Sequence, residues 1–324
     1  MRAGGVRPVT YGSAVLFDTE IELTGPWRTP RQMLAEQTYD GHTSVHDDAT
    51  AAKLGLRGAP IEGPTHFSQF DPLAVARWGT RWFTHGCISA HFQTMVVEGD
   101  EVRATLTTAG AGPGAGEHAG RISAVRNDGA VVLTGTASVG PDHPTSELDG
   151  RLARLGDPGE LFIVDRVQLG HHHTVAEPVS MPWAESNGDF YPFSLQDKVA
   201  AITEPHPWYT PDGAASSPWG RPIVPMEMIS VLAMKAGNDL PVRGPSVGLF
   251  LDLEVRLLDG PVFVDEPYRL EQDVVGLAQT RRVESHWLRT TLVEVATDRP
   301  VAVALLHSGV FKASYAGYPA DRLA

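Results

Sequence analysis

The nine residues DGHTSVHDD, 40–48, hold two histidines and three aspartates directly ahead of an alanine-rich stretch, ATAAKLGL. Imidazole exchanges protons near neutral pH, and a neighbouring carboxylate can orient it or share the proton. Three uses follow from these residue types. His46 can form an acid/base pair with Asp40, or with His42 in the aspartate's place. His42, His46 and the nearby aspartates can ligate zinc or iron. The stretch lacks the His-Glu-x-x-His pattern, however, and Gly41 breaks any helical face that would align the two rings, so no metal is expected. The third use is a polar turn opening a short helix, with Asp47 or Asp48 as the cap and Asp40 solvated beside Gly41. Further along, His66 lies near the start of an apolar segment, where it can face a pocket or be covered by a sheet. Arg57 and Arg221 stand beside two such helix entrances and can draw in a phosphate, or be solvated arginines next to turns. The run His171-His172-His173 reads as a strand-end or linker feature.

The elements that must position these groups are written twice. Phe67, Phe70, Ala74 and Trp78 recur near helical spacing, with Leu73 and Val75 on a second face, which predicts a largely buried helix. Pro72 removes a backbone donor inside it and predicts a kink or a short break. The strand-like runs CISAHFQTMVV, VRATLTTAG and RISAVRNDGAVVLTGTASV follow, the last folded at Asn127-Asp128-Gly129, where a hairpin turn needs positive φ. One helix and a four-strand meander result. Residues 141–160, rich in Gly, Pro and Asp, read as a linker. The pattern then returns as SPWGRPIVPMEMISVLAMKAG and four more strand-like runs. Two units are expected, 1–140 and 161–324, each able to complete the other's sheet.

A buried helix wrapped by a curved antiparallel sheet, present twice, resembles the double hotdog fold of the α+β class. HDDATAAKLGLRGAPIEGPTHFSQ further resembles the signature of the MaoC-like, (R)-specific enoyl-CoA hydratases, also called hydratase 2. There a Gly-Asp-x-Asn-Pro-(Ile/Leu)-His loop precedes an Asp, an Ala, a Gly-Phe-x-Gly turn and Ile-x-His-Gly. MVVEGDEVRATL resembles that family's Pro-Gly-Asp turn between strands. The match covers about residues 20 to 140, with a fainter copy over 160 to 315. It implies an Asp and a His five residues later that orient a water and move a proton, hydrating a trans-2-enoyl thioester. A backbone N–H at the start of the buried helix would polarise the thioester carbonyl. On this basis His46 falls on the catalytic histidine, Val45 on the apolar residue before it, and Gly63 on the glycine near the helix start. The aspartate does not carry over, because its position is Gly41, flanked by Asp40 and His42. The second copy, NGDFYPFS at 187–194, keeps Gly188, Asp189 and Pro192 but has Ser194 where the histidine should be. Asp189 and Tyr191 read as remnants of ancestry and packing, and Ser194 as a satisfied polar residue. The two loops are expected to lie apart, each beside its own helix.

Composition narrows the function. The 324 residues include no apolar run of about 20 residues, so a soluble protein with no membrane partner is expected. No signal peptide is read at the N-terminus, and the lone Cys87 fits a reducing cytoplasm. A net charge of −13 opposes nucleic acid, although an anionic thioester can still be held by local positive potential. The expected function is a cofactor-free hydratase or dehydratase, a lyase acting on an acyl-CoA or acyl-carrier-protein thioester. His46 is its principal acid/base and Asp40 or His42 the helper, with Gly63, His66 and Arg57 as substrate contacts. Two alternatives stay open: a thioesterase or natural-product tailoring enzyme of the same fold, and a non-catalytic acyl-ligand binder, suggested by the incomplete pair in both halves. Monomer and homodimer are both compatible with the sheet edges.

Overall fold

The computed structural model describes residues 20–38, 42, 44–109, 118–237 and 240–323, so Asp40 and Gly41 of the candidate loop lie outside the described residues. Ten strands form among the described residues: β1 (Glu20–Thr24), β2 (Gly86–Phe92), β3 (Val102–Ala109), β4 (Ala119–Arg126), β5 (Val131–Val139), β6 (His172–Thr174), β7 (Gly248–Leu257), β8 (Tyr268–Gln279), β9 (Val283–Glu294) and β10 (Arg299–Phe311). Strict alternation of buried and half-buried side chains along β3 and most of β8 is the period-two pattern that sets one face of a strand against the core. The turn at Asn127-Asp128-Gly129 joins β4 to β5, with Gly129 at φ +87°.

The strands lie in one sheet in the order β1-β3-β4-β5-β2-β7-β10-β9-β8-β6. The expected meanders are therefore corrected. The strand that follows the buried helix of each copy does not pair with the next strand in sequence: β2 lies beside β5, and β7 beside β10. That arrangement leaves β2 and β7 each with an unpaired edge, and the two edges pair with each other from Cys87↔Arg256 to His91↔Asp252. Pairing removes two exposed edges at once and fuses the copies into a continuous antiparallel sheet.

The helices are α1 (Asp48–Lys53), α2 (Asp71–Trp78), α3 (Trp82–His85), α4 (Glu147–Leu152), α5 (Leu195–Ala201) and α6 (Met226–Met234). The predicted helix of the first copy is split, with a 3-10 helix over Gly63–Phe70 leading into α2. Pro72 explains the break. It has no N–H to donate to the Ser68 carbonyl, which instead takes the N–H of Asp71, one residue closer. Every residue of α6 is buried, as its dense apolar sequence requires, and α6 packs against the 3-10 helix of the other copy. Residues 141–160 are more than a connector. Ser146 and Asp149 form a capping box at the start of α4, whose Leu148 packs with Trp287 and Leu305 on the outer face of the sheet. Among the described residues, no helix is long and apolar enough to cross a membrane.

Candidate active site

A cavity of about 540 Å³ is walled by both copies. The first copy contributes His42, Val45, His46, the stretch Pro60–Gly63, His66 and the end of β2. The second contributes Phe190, Tyr191, Met234, the start of β7, His286 and Ser308–Val310.

The loop carrying His46 is fixed from both sides. Asp47 caps α1, accepting from the Thr50 amide and hydroxyl at 2.8 Å each. The His46 amide donates to Ser44 Oγ at 3.0 Å, and that hydroxyl donates to Gln37 Oε1 at 2.7 Å. The imidazole Nδ1 lies 2.6 Å from the Pro60 carbonyl oxygen. A carbonyl can only accept, so Nδ1 carries the proton and Nε2 is left with its lone pair. Burial lowers the affinity of the ring for a second proton, and the Pro60 bond only partly opposes this. His46 is thus a neutral base at pH 7.

Gly63 opens the 3-10 helix under the Phe92 ring. A Cβ there would come within 2.7–2.9 Å of that ring, so only glycine lets the backbone approach. His66 is almost fully buried on the cavity wall, and the Gln69 side-chain amide lies 3.3 Å from its Nδ1. With that amide donating to Nδ1, the neutral ring carries its proton on Nε2. Desolvation, and then the positive charge of Lys198, pull the ring down to about 4, so it stays neutral.

Glu62 is the residue that sequence reasoning missed. It sits one position before Gly63, lines the cavity and is buried. Desolvation pushes its carboxyl up to about 7, with Lys198 opposing. The buried Tyr191 hydroxyl influences that carboxyl, yet neither Tyr191 Oη nor Glu62 Oε1 closes a hydrogen bond of good geometry. Behind them, Lys198 Nζ lies 3.2 Å from Glu227 Oε1 and donates to Thr65 Oγ1 at 2.9 Å, with both charged side chains almost wholly buried. An acidic residue immediately before a Gly-Pro helix entrance was the available signal. Its burial was not readable.

The expectation that the two copies' loops lie apart is corrected. The Thr38 amide donates to the Asp189 carbonyl at 3.0 Å, and Gln37 Nε2 donates to the Phe190 carbonyl at 3.0 Å. The second loop crosses to the first and delivers Tyr191 into the cavity of His46. The Asp189 side chain itself is exposed and is not part of the wall. Ser194 caps α5, exchanging hydrogen bonds with Asp197.

The remaining candidates divide. His42 lines the cavity, its Nδ1 3.2 Å from Ser246 Oγ and 3.3 Å from the Ser246 carbonyl, so it ties the first loop to the second copy. Arg57 is placed elsewhere: the Asp100 carboxylate of the Gly-Asp turn holds its guanidinium in a two-pronged ion pair at the surface, off the cavity wall. Arg221 is likewise paired with Glu266 and stacked on Phe263. His172 lies on the edge strand β6 with Asp273 2.8 Å from its Nδ1. Among the described residues, no group of three His, Cys, Asp or Glu side chains is arranged to hold a metal ion.

No known family model matches the chain, and no curated protein matches it by sequence. Solved structures do resemble it. One, provisionally described as a MaoC domain protein dehydratase from Chloroflexus aurantiacus J-10-fl, is 15% identical with a TM-score of 0.56, over 91% of this chain and 95% of that one. Another, a conserved hypothetical protein from Mycobacterium tuberculosis with a double hotdog fold, is 14% identical with a TM-score of 0.56, over 92% of this chain and 97% of that one. At such identities the likeness speaks for architecture, and with the fused sheet and its two enclosed helices it shows that this chain is a double hotdog.

Proposed function

We propose that the protein is an acyl-thioester hydratase or dehydratase of the MaoC-like type, adding water reversibly to a trans-2-enoyl thioester carried by coenzyme A or a carrier protein. One observation carries the reading: His46 is a neutral imidazole with Nδ1 locked to the Pro60 carbonyl, on the wall of a cavity it shares with the backbone of Gly63. In the hydration direction, His46 Nε2 takes a proton from water as the water oxygen bonds to C3. Charge moves to the thioester oxygen, where the Gly63 N–H and the His66 Nε2–H are the donors at hand. Glu62, protonated up to about pH 7, returns a proton to C2 and is recharged from His46. Glu62 thereby fills the helper's part expected of Asp40 or His42, since His42 is engaged with Ser246.

The test is loss of enoyl-thioester absorbance over several chain lengths. His46→Ala should lower kcat/KM by about a hundred- to ten-thousand-fold. The wild-type rate should rise with pH as His46 loses its proton, below the ordinary imidazole value, and fall above about pH 7 as Glu62 ionises. A His46→Ala protein as active as wild type refutes the assignment. A second reading, thioester hydrolysis, is favoured by the carboxyl of Glu62 at the helix entrance, and release of a free thiol instead of a 3-hydroxyacyl thioester would identify it. Binding without turnover at every chain length would return the non-catalytic acyl binder.

A further inference from the structure

The part of the cavity built by the second copy contains a polar group with nothing to bond to. His286 on β9 is only 5% exposed. Its Nδ1 is sealed off without a partner, which leaves Nε2 as the ring nitrogen with access to the cavity that the side chain lines. Ser308 of β10 is its partner in register, so the two side chains rise from the same face of the sheet, about 5 Å apart. Met234 and Val310 make the surrounding wall apolar.

An unpaired imidazole in such a place costs about 1–3 kcal/mol, and few buried polar groups in folded proteins are left so. Other histidines here show what satisfaction looks like. One rung along and on the opposite face, His307, paired in register with Trp287, has Asp252 Oδ2 at 2.5 Å from one nitrogen and Ser285 Oγ at 2.9 Å from the other. In the cavity, His42, His46 and His66 each have a protein partner. His286 differs in that neither ring nitrogen has a partner among the described residues, and of the two only Nε2 can be reached from the cavity.

The chemistry of that partner is constrained. Burial, and then the neighbouring His307, pull the ring down to about 4, so it is neutral, and Nε2 offers the cavity a single donor or a single acceptor according to the tautomer. No lysine or arginine is among the described residues of the cavity wall, so a carboxylate would find no countercharge. A neutral oxygen suits such a site: a hydroxyl can pair with Nε2 in either tautomer, and a keto oxygen with its N–H form.

We propose that His286, with Ser308 beside it, is a specificity-determining residue that binds a hydroxyl or keto oxygen carried on the acyl chain beyond the reacting carbons. The proposal rests on the thioester reading of the His46 end, because that reading lays the acyl chain along the cavity from the first copy's loop to the second copy's sheet.

The test uses the full chain and trans-2-decenoyl pantetheine thioesters, plain or bearing a single hydroxyl at each position from C5 to C9. Wild type should favour one hydroxyl position over the plain chain by about ten-fold in kcat/KM. His286→Leu should erase that preference, read as the ratio of hydroxylated to plain chain within the variant itself, and His286→Gln should keep part of it. The same comparison in Kd, by calorimetry, reads the proposal apart from catalysis. Discriminating binding without turnover would sink the hydratase reading and leave this one standing. Turnover with no positional preference, or a preference that survives His286→Leu, would overturn it and leave the imidazole with a structural water only, as would failure to bind any member of the series.

Discussion

Replacing Glu62 by glutamine should stabilise the protein while disabling the site, and the two effects should separate with pH. The carboxyl is taken from an ordinary 4.5 to about 7 by desolvation, with the attraction of Lys198 already offsetting part of the cost. At about 1.4 kcal/mol for each tenfold change in the proton equilibrium, that difference is worth roughly 3 kcal/mol. The sign is fixed by which state holds the proton. Between pH 4.5 and 7 the folded protein retains a proton on Glu62 that the unfolded chain has lost, so this residue subtracts stability as pH rises through that window. Glutamine has no proton to lose. The advantage of Glu62→Gln should therefore be small below pH 4.5, grow through the window and level off near 3 kcal/mol above pH 7. Asp71, also pushed up to about 7 beside Trp82 and Tyr209, is common to both proteins and cancels in the difference. Urea unfolding of both proteins from pH 4 to 9 at constant ionic strength measures it. A stability difference that does not change with pH would refute the reasoning, since Glu62 would then titrate as a solvated carboxylate and could not hold a proton for C2 at neutrality.

Two further perturbations test the frame around the site. Gly63→Ala drives a methyl group into the Phe92 ring, itself stacked on Phe67 with ring centres 6.3 Å apart, and should cost about 1–3 kcal/mol in unfolding free energy. Adding Phe92→Leu should recover much of that loss, and no recovery would place the strain elsewhere. Lys198→Met strips the buried Glu227 of its cation and should cost about 3–5 kcal/mol above neutral pH. Because burial already raises the Glu227 carboxyl, the penalty should shrink as acid neutralises it, and an equal loss at pH 5 and pH 8 would count against the pair.

Local chemistry was legible where a few adjacent residues decide it. The alternation in VRATLTTAG produced β3, Asn127-Asp128-Gly129 turned the hairpin, and Pro72 broke the helix at its own position. His46 was legible because the loop signature, the cap at Asp47 and the Gly-Pro helix entrance all lie within about 20 residues of one another. The order of strands was not. Whether β2 meets β3 or β7 depends on which edges remain unpaired after both copies have folded, and no local pattern encodes that. The other half of the cavity wall was hidden for the same reason: Tyr191 read as a remnant, and nothing local marked His286 or Ser308, which reach a common cavity only once the sheets have fused. By itself, then, the sequence determined the repeated helix-and-strand unit and the capped turn that follows His46, because periodicity, turns and caps act over a few residues. Tertiary structure alone decided that Glu62 holds its proton to about pH 7 and that His286 lacks a partner, because burial and charge proximity are set by other elements, Lys198 of α5 for Glu62 and the neighbouring strand β10 for His286.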